Sequence, residues 1–163
     1  MKDLLKKFQL EDCKPVSTPM IVGCKLSKED DSKDFDQRTY RSMIGSLLYV
    51  TTSRPDVKQA VGMVARFQST PKETCVLAVK RIFRYLKGTM NLGLWYPSKK
   101  SFSLRAYSDV DWAGCVDDAK STSGGAFFLG ESLVAWIIKK QTSISLSTAE
   151  DKYIAVVECC TQV

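Results

Sequence analysis

The hydrophobic pattern of the chain changes its period near Gly88, and this change limits the folds that the sequence can adopt. Before Gly88, apolar residues recur every three or four positions, which is the spacing of one helix face. After Gly88, short apolar runs are separated by turn residues, which is typical of strands. The sequence therefore predicts an α+β chain in which a helical part precedes a small sheet.

Three helices are predicted directly before this change. The first covers residues 40–51, and Pro55 stands at the start of the second. Thr70-Pro71-Lys72-Glu73 has the pattern of a capping box that begins the third, and Gly88 ends it. Residues 1–39 are expected to form a loosely organised lead-in with one short amphipathic helix in residues 1–10.

Four strands and one helix are predicted after Gly88. The predicted strands are Leu92–Tyr96, Phe102–Tyr107, Ser123–Gly130 and Leu133–Ile138. The short spacing between the last two strands predicts a tight hairpin. The helix is expected from Ser147 to Cys160, with Ser147 or Thr148 as its N-cap.

Two acids, Asp109 and Asp111, follow the strand predicted at Phe102–Tyr107. Residues two apart in a strand point to the same face, so their carboxylates are expected to project together. Such a pair can hold a divalent cation through oxygen ligands. A solvated aspartate-rich turn is the alternative, and this stretch alone favours the turn.

The chain contains no histidine, and its six cysteines form no C-x-x-C pair. These facts argue against a Cys/His zinc site and against nucleophile designs that need histidine. Any hydrolysis is therefore expected to depend on carboxylates and a metal ion. Reduced cysteines, no secretory signal and no membrane-length apolar run predict a cytosolic or nuclear protein.

The net charge of +6 is unevenly distributed. Residues 1–100 carry 19 basic and 10 acidic side chains, whereas residues 101–163 carry 5 basic and 8 acidic ones. The third predicted helix places Lys80, Arg84 and Lys87 on one side, where they either contact phosphates or form a solvated basic face. The candidate nucleic-acid contacts are Lys80, Arg81, Arg84, Lys87, Lys139 and Lys140.

Seven ordered motifs connect the chain with a known family. They are YRSMIGSLLYVTTSRPDV, AVGMVARF, AVKRIFRYLKGT, YSDVDWAGC, KSTSGGAFFLG, KKQTSISLSTAE and KYIAVVECC. On these motifs, about three quarters of the chain resembles the Pol polyprotein of copia-type LTR retrotransposons, from the end of the reverse transcriptase into the ribonuclease H domain.

The resemblance implies three regions. Residues 1–39 are a lead-in or linker, 40–97 the thumb and connecting region of the reverse transcriptase, and 101–163 the first part of a ribonuclease H-like domain. The palm with the polymerase aspartates is expected upstream of this sequence. In the ribonuclease H family, four carboxylates hold two Mg²⁺ ions that act on RNA in an RNA–DNA hybrid.

The family pattern is carried over residue by residue. Asp109 matches the first-strand aspartate, and Asp111 matches a second, supporting acid. The helix glutamate is expected immediately before Tyr153, where this chain has Lys152. Glu150 is the ligand only if the family glutamate is placed two residues earlier, and Asp151, where the family pattern has alanine, is a poor substitute.

The two later aspartates of the family are expected beyond Val163. The predicted function is therefore a Pol fragment that is catalytically inactive, does not bind Mg²⁺ productively and retains affinity for nucleic acid. Two alternatives stay open, a ribonuclease completed by a longer product and an interaction module with a new role. The first strand is expected to be an open edge through which the chain self-associates.

Overall fold

The computed structural model describes residues 1–98 and 103–162. These residues form five α-helices, one 3₁₀ turn and one antiparallel sheet. The elements are α1 (Lys2–Lys7), α2 (Gln37–Val50), the 3₁₀ turn (Pro55–Val57), α3 (Lys58–Ala65), α4 (Glu73–Gly88), β1 (Leu104–Asp111), β2 (Thr122–Leu129), β3 (Ser132–Lys140) and α5 (Thr148–Cys160). The predicted α+β class is confirmed, and the chain divides into a first unit, Met1–Gly93, and a second unit, Leu94–Val163.

The first unit is built around an apolar core to which α2, α3 and α4 contribute. The largest fully buried side chains of this core include Tyr40, Leu47, Val61, Ile82 and Phe83. The Tyr40 hydroxyl donates a hydrogen bond to the main-chain oxygen of Val64 at 2.8 Å, so its polar end is satisfied inside the core. Burial also raises the pKa of Tyr40, which keeps this hydroxyl protonated.

The lead-in packs on this core, in contrast to the loose segment that its sequence predicts. Leu5 of α1 is buried, and the Phe8 ring lies 5.2 Å from the Phe83 ring. Further apolar residues of the lead-in, such as Val16 and Phe35, pack against the same core. Their irregular spacing gave no periodic signal, although each buries apolar surface.

Helix α4 begins differently from the prediction and ends as expected. Its N-cap is Lys72, whose side chain makes no capping bond, so the capping box at Thr70 is not formed. A bridge between Lys72 and Asp34 lies at this helix start, and the Glu73 amide donates to the main-chain oxygen of Lys33 at 3.0 Å. The main-chain oxygen of Lys33 therefore satisfies the Glu73 amide, which the capping box was expected to satisfy through the Thr70 side chain. The helix ends at Gly88.

The second unit contains a sheet with the strand order β1-β2-β3. β2 and β3 form the predicted tight hairpin, with Gly130 at a φ of 64° in its turn. β1 continues through Asp111, so both acids lie within the strand rather than beyond it. No strand forms at Leu92–Tyr96, where the Tyr96 hydroxyl instead donates to the main-chain oxygen of Leu133 at 2.9 Å. Phe102, where the second strand was predicted to begin, lies outside the described residues.

Helix α5 has the predicted N-cap and packs on one face of the sheet. Ser147 Oγ accepts the Glu150 amide at 3.2 Å, and Glu150 Oε2 accepts the Leu146 amide at 2.8 Å. A Cβ added at Gly125 would lie 2.8 Å from Cys159 Sγ. The absence of a side chain at Gly125 therefore lets α5 approach β2 closely. No helix in the described part of the chain is long and apolar enough to span a membrane.

Candidate functional site

Asp109 and Asp111 project from the same face of β1, as the strand period predicts. They lie opposite Gly124 and Thr122 of β2 in a regular antiparallel register. Both side chains are exposed, and Asp109 Oδ1 accepts the Val110 amide at 2.8 Å. The two carboxylates are therefore on one face of the sheet and accessible to solvent.

Helix α5 covers the other face of the sheet. Gly125, which α5 approaches at Cys159, is paired with Ser108 of β1. Because side chains alternate along a strand, the residues flanking Ser108 point away from α5. Asp109 and Asp111 therefore project from the face opposite the helix.

The three candidate residues of α5 have different environments. Lys152 is exposed, and Glu150 is exposed with its carboxylate bonded at the helix N-terminus. Asp151 is fully buried, and its Oδ1 accepts the Ser145 hydroxyl at 3.2 Å. Asp151 Oδ2 has no partner among the described residues.

These positions do not fit a two-metal site. Asp109 and Asp111 offer two carboxylates, and the acids of α5 lie on the other side of the sheet. Within residues 1–98 and 103–162, no group of three or more His, Cys, Asp or Glu side chains is arranged to hold a metal ion. No reaction step through Mg²⁺ follows from this arrangement.

Three of the four candidate basic residues on α4 bind the lead-in. Arg81 Nη2 donates to Thr18 Oγ1 at 2.8 Å, and Arg84 Nε donates to the main-chain oxygen of Lys14 at 2.7 Å. Lys87 Nζ donates to the main-chain oxygens of Cys13, at 2.8 Å, and Glu11. These acceptors are uncharged, so the positive charges persist although their donors are engaged.

The remaining candidate cations have distinct surroundings. Lys80 on α4 is exposed. Lys139 forms an ion pair with Glu158 at 3.1 Å, and Lys140 forms one with Asp118 at 2.7 Å. Hydrogen bonds from the Cys115 thiol and the Lys140 ammonium lower the pKa of Asp118 to about 2. Five of the six predicted nucleic-acid contacts therefore already have a hydrogen-bond or ion-pair partner within their own unit.

The first unit contains a partly buried ionic network that no sequence motif predicted. Arg54 Nη2 lies 2.7 Å from Asp56 Oδ2, and Arg54 Nη1 donates to the main-chain oxygen of Thr89 at 2.9 Å. The Tyr85 hydroxyl donates to the same Asp56 oxygen at 2.8 Å. Burial favours the neutral Asp56 carboxyl, but the hydrogen bonds from Arg54 and Tyr85 outweigh it and lower the pKa of Asp56. The network joins the end of α4 to the 3₁₀ turn. In the sequence, the only indication of this ion pair is an arginine two residues before an aspartate.

The open face of the sheet carries a shallow depression beside the acids. It has a volume of about 410 Å³ and is lined by Arg105, Tyr107, Ala126, Phe128 and Glu131. The Tyr107 and Phe128 rings meet edge to face, with their centroids 5.7 Å apart. The face that presents Asp109 therefore also presents aromatic surface.

Comparison with curated proteins finds relatives that are Pol polyproteins of transposons. The chain is 42% identical over 154 residues to the retrovirus-related Pol polyprotein from transposon RE1 of Arabidopsis thaliana, a match covering 94% of this chain and 10% of that protein. It is 38% identical to the corresponding polyprotein from transposon RE2, with 94% and 11% covered. The chain thus spans about a tenth of the length of these relatives.

A shorter relative is matched over most of its own length. The secreted RxLR effector protein 161 of Plasmopara viticola is 42% identical over 120 residues, which cover 73% of this chain and 84% of that protein. No family model matches the chain. No solved structure matches it either.

Proposed function

Because the chain belongs to the family of retrovirus-related Pol polyproteins from copia-type transposons, we propose that it is a non-cleaving, nucleic-acid-binding part of such a polyprotein. The second unit corresponds in this proposal to the beginning of a ribonuclease H-like domain. The first unit supplies basic surface, since residues 1–93 carry 17 Lys and Arg against 10 Asp and Glu.

The proposed absence of cleavage rests on one observation, the positions of the carboxylates. The carboxylates of β1 and those of α5 lie on opposite sides of the sheet. Two-metal hydrolysis requires carboxylates that converge on a pair of cations a few ångströms apart. Asp109 and Asp111 cannot supply that ligand set together with Glu150 or Asp151 in this arrangement.

Lys152 adds a second reason. The resemblance expects a glutamate at this position, and a lysine brings a positive charge in place of an oxygen ligand. An ammonium group cannot coordinate a metal ion, so α5 lacks the ligand that the family pattern has at this position. Both the orientation of the acids and the identity of residue 152 therefore support the proposal.

A cleavage assay tests the catalytic part. A labelled RNA–DNA hybrid is incubated with Mg²⁺ and the protein, its Asp109→Asn variant or its Lys152→Glu variant, with Asp117→Asn as the matched surface control. We expect all four proteins to leave the hybrid intact. Lys152→Glu alone is not expected to create activity, because residue 152 extends from the helix on the far side of the sheet from Asp109. Mg²⁺-dependent cleavage by the unmodified protein that disappears in Asp109→Asn alone would refute the proposal.

The nucleic-acid part of the proposal is tested on one helix. Lys80 is exposed, whereas Arg84, about one turn later, is hydrogen-bonded to the main chain of the lead-in. Lys80→Ala removes a group that can bind phosphate, so it is expected to weaken binding and to lower the slope of log affinity against log salt by about one. Arg84→Ala is expected to weaken binding less. An affinity for nucleic acid that changes neither with salt concentration nor in Lys80→Ala would contradict phosphate binding by the basic surface of α4.

The unpaired edge of β1 favours self-association as a second candidate. Among the described residues, β1 pairs with β2 and has no strand on its other side. Its Tyr107 side chain is 56% exposed. An exposed edge of this kind can pair with a second chain, and a lysine disfavours such pairing. Sedimentation analysis is expected to show dimers that Tyr107→Lys dissociates, and a monomer at every concentration would exclude this candidate.

A further inference from the structure

Cys115, Asp118 and Lys140 meet beside the connection between β1 and β2. Lys140 Nζ lies 3.0 Å from Cys115 Sγ and 2.7 Å from Asp118 Oδ2. The connection is closed by hydrogen bonds from the Ala119 amide to the Cys115 oxygen at 2.8 Å and from the Cys115 amide to the Lys120 oxygen at 3.2 Å. A nucleophilic sulfur and an ammonium group are thus held side by side.

The ammonium is a proton donor in this cluster. Burial favours the neutral amine of Lys140, but hydrogen bonds with Asp118 and Cys115 outweigh it and raise the pKa of Lys140. Asp118 holds the Lys140 ammonium through contacts of 2.7 Å to both carboxylate oxygens. One face of the sulfur is therefore adjacent to a positioned N–H group.

The other cysteines of the second unit provide internal comparisons. Cys159 is buried, and burial raises the pKa of its thiol, which disfavours the nucleophilic thiolate. Cys160 is exposed, whereas Cys115 is only partly exposed. If exposure alone governed reactivity, Cys160 would react faster than Cys115.

We propose that Cys115 is a site of oxidation by hydrogen peroxide, with Lys140 as the proton donor to the leaving group. The thiol releases its proton to solvent, and Sγ attacks one peroxide oxygen, so that the S–O bond forms as the O–O bond breaks. Sulfur is oxidised to the sulfenic acid, and the peroxide is reduced. The departing hydroxide takes a proton from Lys140 and leaves as water, after which Lys140 regains a proton from solvent.

This role differs from general activation of the thiol. Alkylation by iodoacetamide releases iodide, which needs no proton, whereas peroxide must release hydroxide or water. Loss of the Lys140 ammonium therefore affects oxidation more strongly than alkylation. The ratio of the oxidation rate to the alkylation rate at one cysteine therefore reports the effect of the proton donor, because the accessibility of the sulfur affects both rates.

The experiment follows each cysteine separately by mass spectrometry. The protein is treated with hydrogen peroxide in the presence of dimedone, which captures sulfenic acid, and in parallel with iodoacetamide. Lys140→Met removes the donor, Lys140→Arg keeps a cation, and Lys139→Met is the matched control on the neighbouring strand position. In denaturant, the oxidation-to-alkylation ratios of Cys115 and Cys160 should become equal, which identifies any variant that fails to fold.

We expect the oxidation-to-alkylation ratio of Cys115 to exceed that of Cys160 in the folded protein. Lys140→Met should lower the Cys115 ratio by about tenfold or more. Lys139→Met should leave it unchanged, and Lys140→Arg should retain part of it. Equal ratios at Cys115 and Cys160 in the native protein, or an unchanged Cys115 ratio in folded Lys140→Met, would overturn the proposal.

Discussion

The two units bury different kinds of side chain. The first unit encloses 18 buried apolar residues in one core. In the described part of the second unit, the buried apolar side chains are Phe127, Ala155 and Cys159, and the buried polar ones are Ser121, Thr122, Ser123, Ser132, Gln141, Ser145 and Asp151. The first unit is thus stabilised mainly by apolar burial, whereas the second depends on strand pairing and polar contacts. Substitutions should therefore act by different mechanisms in the two units.

The largest expected effect is the loss of a core ring in the first unit. Phe83 is fully buried, so Phe83→Ala should lower the free energy of unfolding by about 3–5 kcal/mol. Leu77→Ala on the same helix is the control, because Leu77 is 66% exposed and its truncation should change stability by about 0.5 kcal/mol or less.

Two spectroscopic probes separate the units in that measurement. All three tryptophans, Trp95, Trp112 and Trp136, belong to the second unit, whereas most helical residues belong to the first. Circular dichroism during denaturant unfolding therefore follows mainly the first unit, and tryptophan fluorescence follows the second. A Phe83→Ala transition that stays at the denaturant concentration of the Leu77→Ala control would contradict the described core.

Arg54→Ala should have the next largest effect, since it leaves the Asp56 carboxylate without its ionic partner. Arg54 is 6% exposed, whereas the Asp56 side chain is 31% exposed, so loss of the charge-assisted hydrogen bonds from Arg54 should cost about 1.5–3 kcal/mol. Arg38→Ala on exposed surface is the control. Circular dichroism during denaturant unfolding measures both changes, and equal stabilities for the two variants would show that the network does not hold the first unit together.

The same network predicts a pH dependence with a definite sign. The folded state lowers the pKa of Asp56, so its contribution to stability is present above the unfolded value of about 4 and is lost as the pH falls through the lower folded value. The difference in unfolding free energy between the unmodified protein and Asp56→Asn should therefore shrink as the pH falls from about 6 to about 3. Denaturant titrations across this pH range measure the difference in unfolding free energy. A difference that grows toward low pH would contradict a lowered pKa of Asp56 in the folded state.

The smallest predicted effect concerns the polar interior of the second unit. Asp151→Ala removes a buried carboxylate whose Oδ2 has no described partner, and the Ser145 hydroxyl keeps Gln141 Oε1 as an acceptor at 3.2 Å, so stability should rise by about 1 kcal/mol. Glu150→Ala is the adjacent control, and it should lower stability by about 0.5–1 kcal/mol because it removes the bond to the Leu146 amide. Tryptophan fluorescence reports both changes, and a large loss of stability in Asp151→Ala would show that the carboxylate is well satisfied.

The sequence predicted those features that depend on local periodicity. The α+β class, the β2–β3 hairpin, the end of α4 at Gly88 and the Ser147 cap all follow from residues close together in the chain. The short helix predicted in residues 1–10 forms as α1, but the packing of the rest of the lead-in was not predicted, because its irregularly spaced apolar residues contact helices that are distant in the sequence. The capping box at Thr70 failed for a related reason, since a contact with Asp34 lies where the local motif was expected.

The candidate site shows the same limit. A strand period of two correctly placed Asp109 and Asp111 on one face, but it does not say which face a later helix covers. The close approach of Cys159 to Gly125 determines that face, and these residues are 34 positions apart in the sequence. The burial of Asp151 likewise depends on Ser145 and on the sheet beneath the helix, not on the spacing of acids along α5.

The orientation of the acids is most directly tested by a Mn²⁺ titration followed by nuclear magnetic resonance. Paramagnetic broadening identifies every amide close to a bound ion. If the acids face away from α5, broadening should be weak and non-saturating near Asp109 and Asp111, with no matching loss of signal at Glu150–Tyr153. Saturable broadening of both segments at the same Mn²⁺ concentration would place them around one metal site and contradict this orientation.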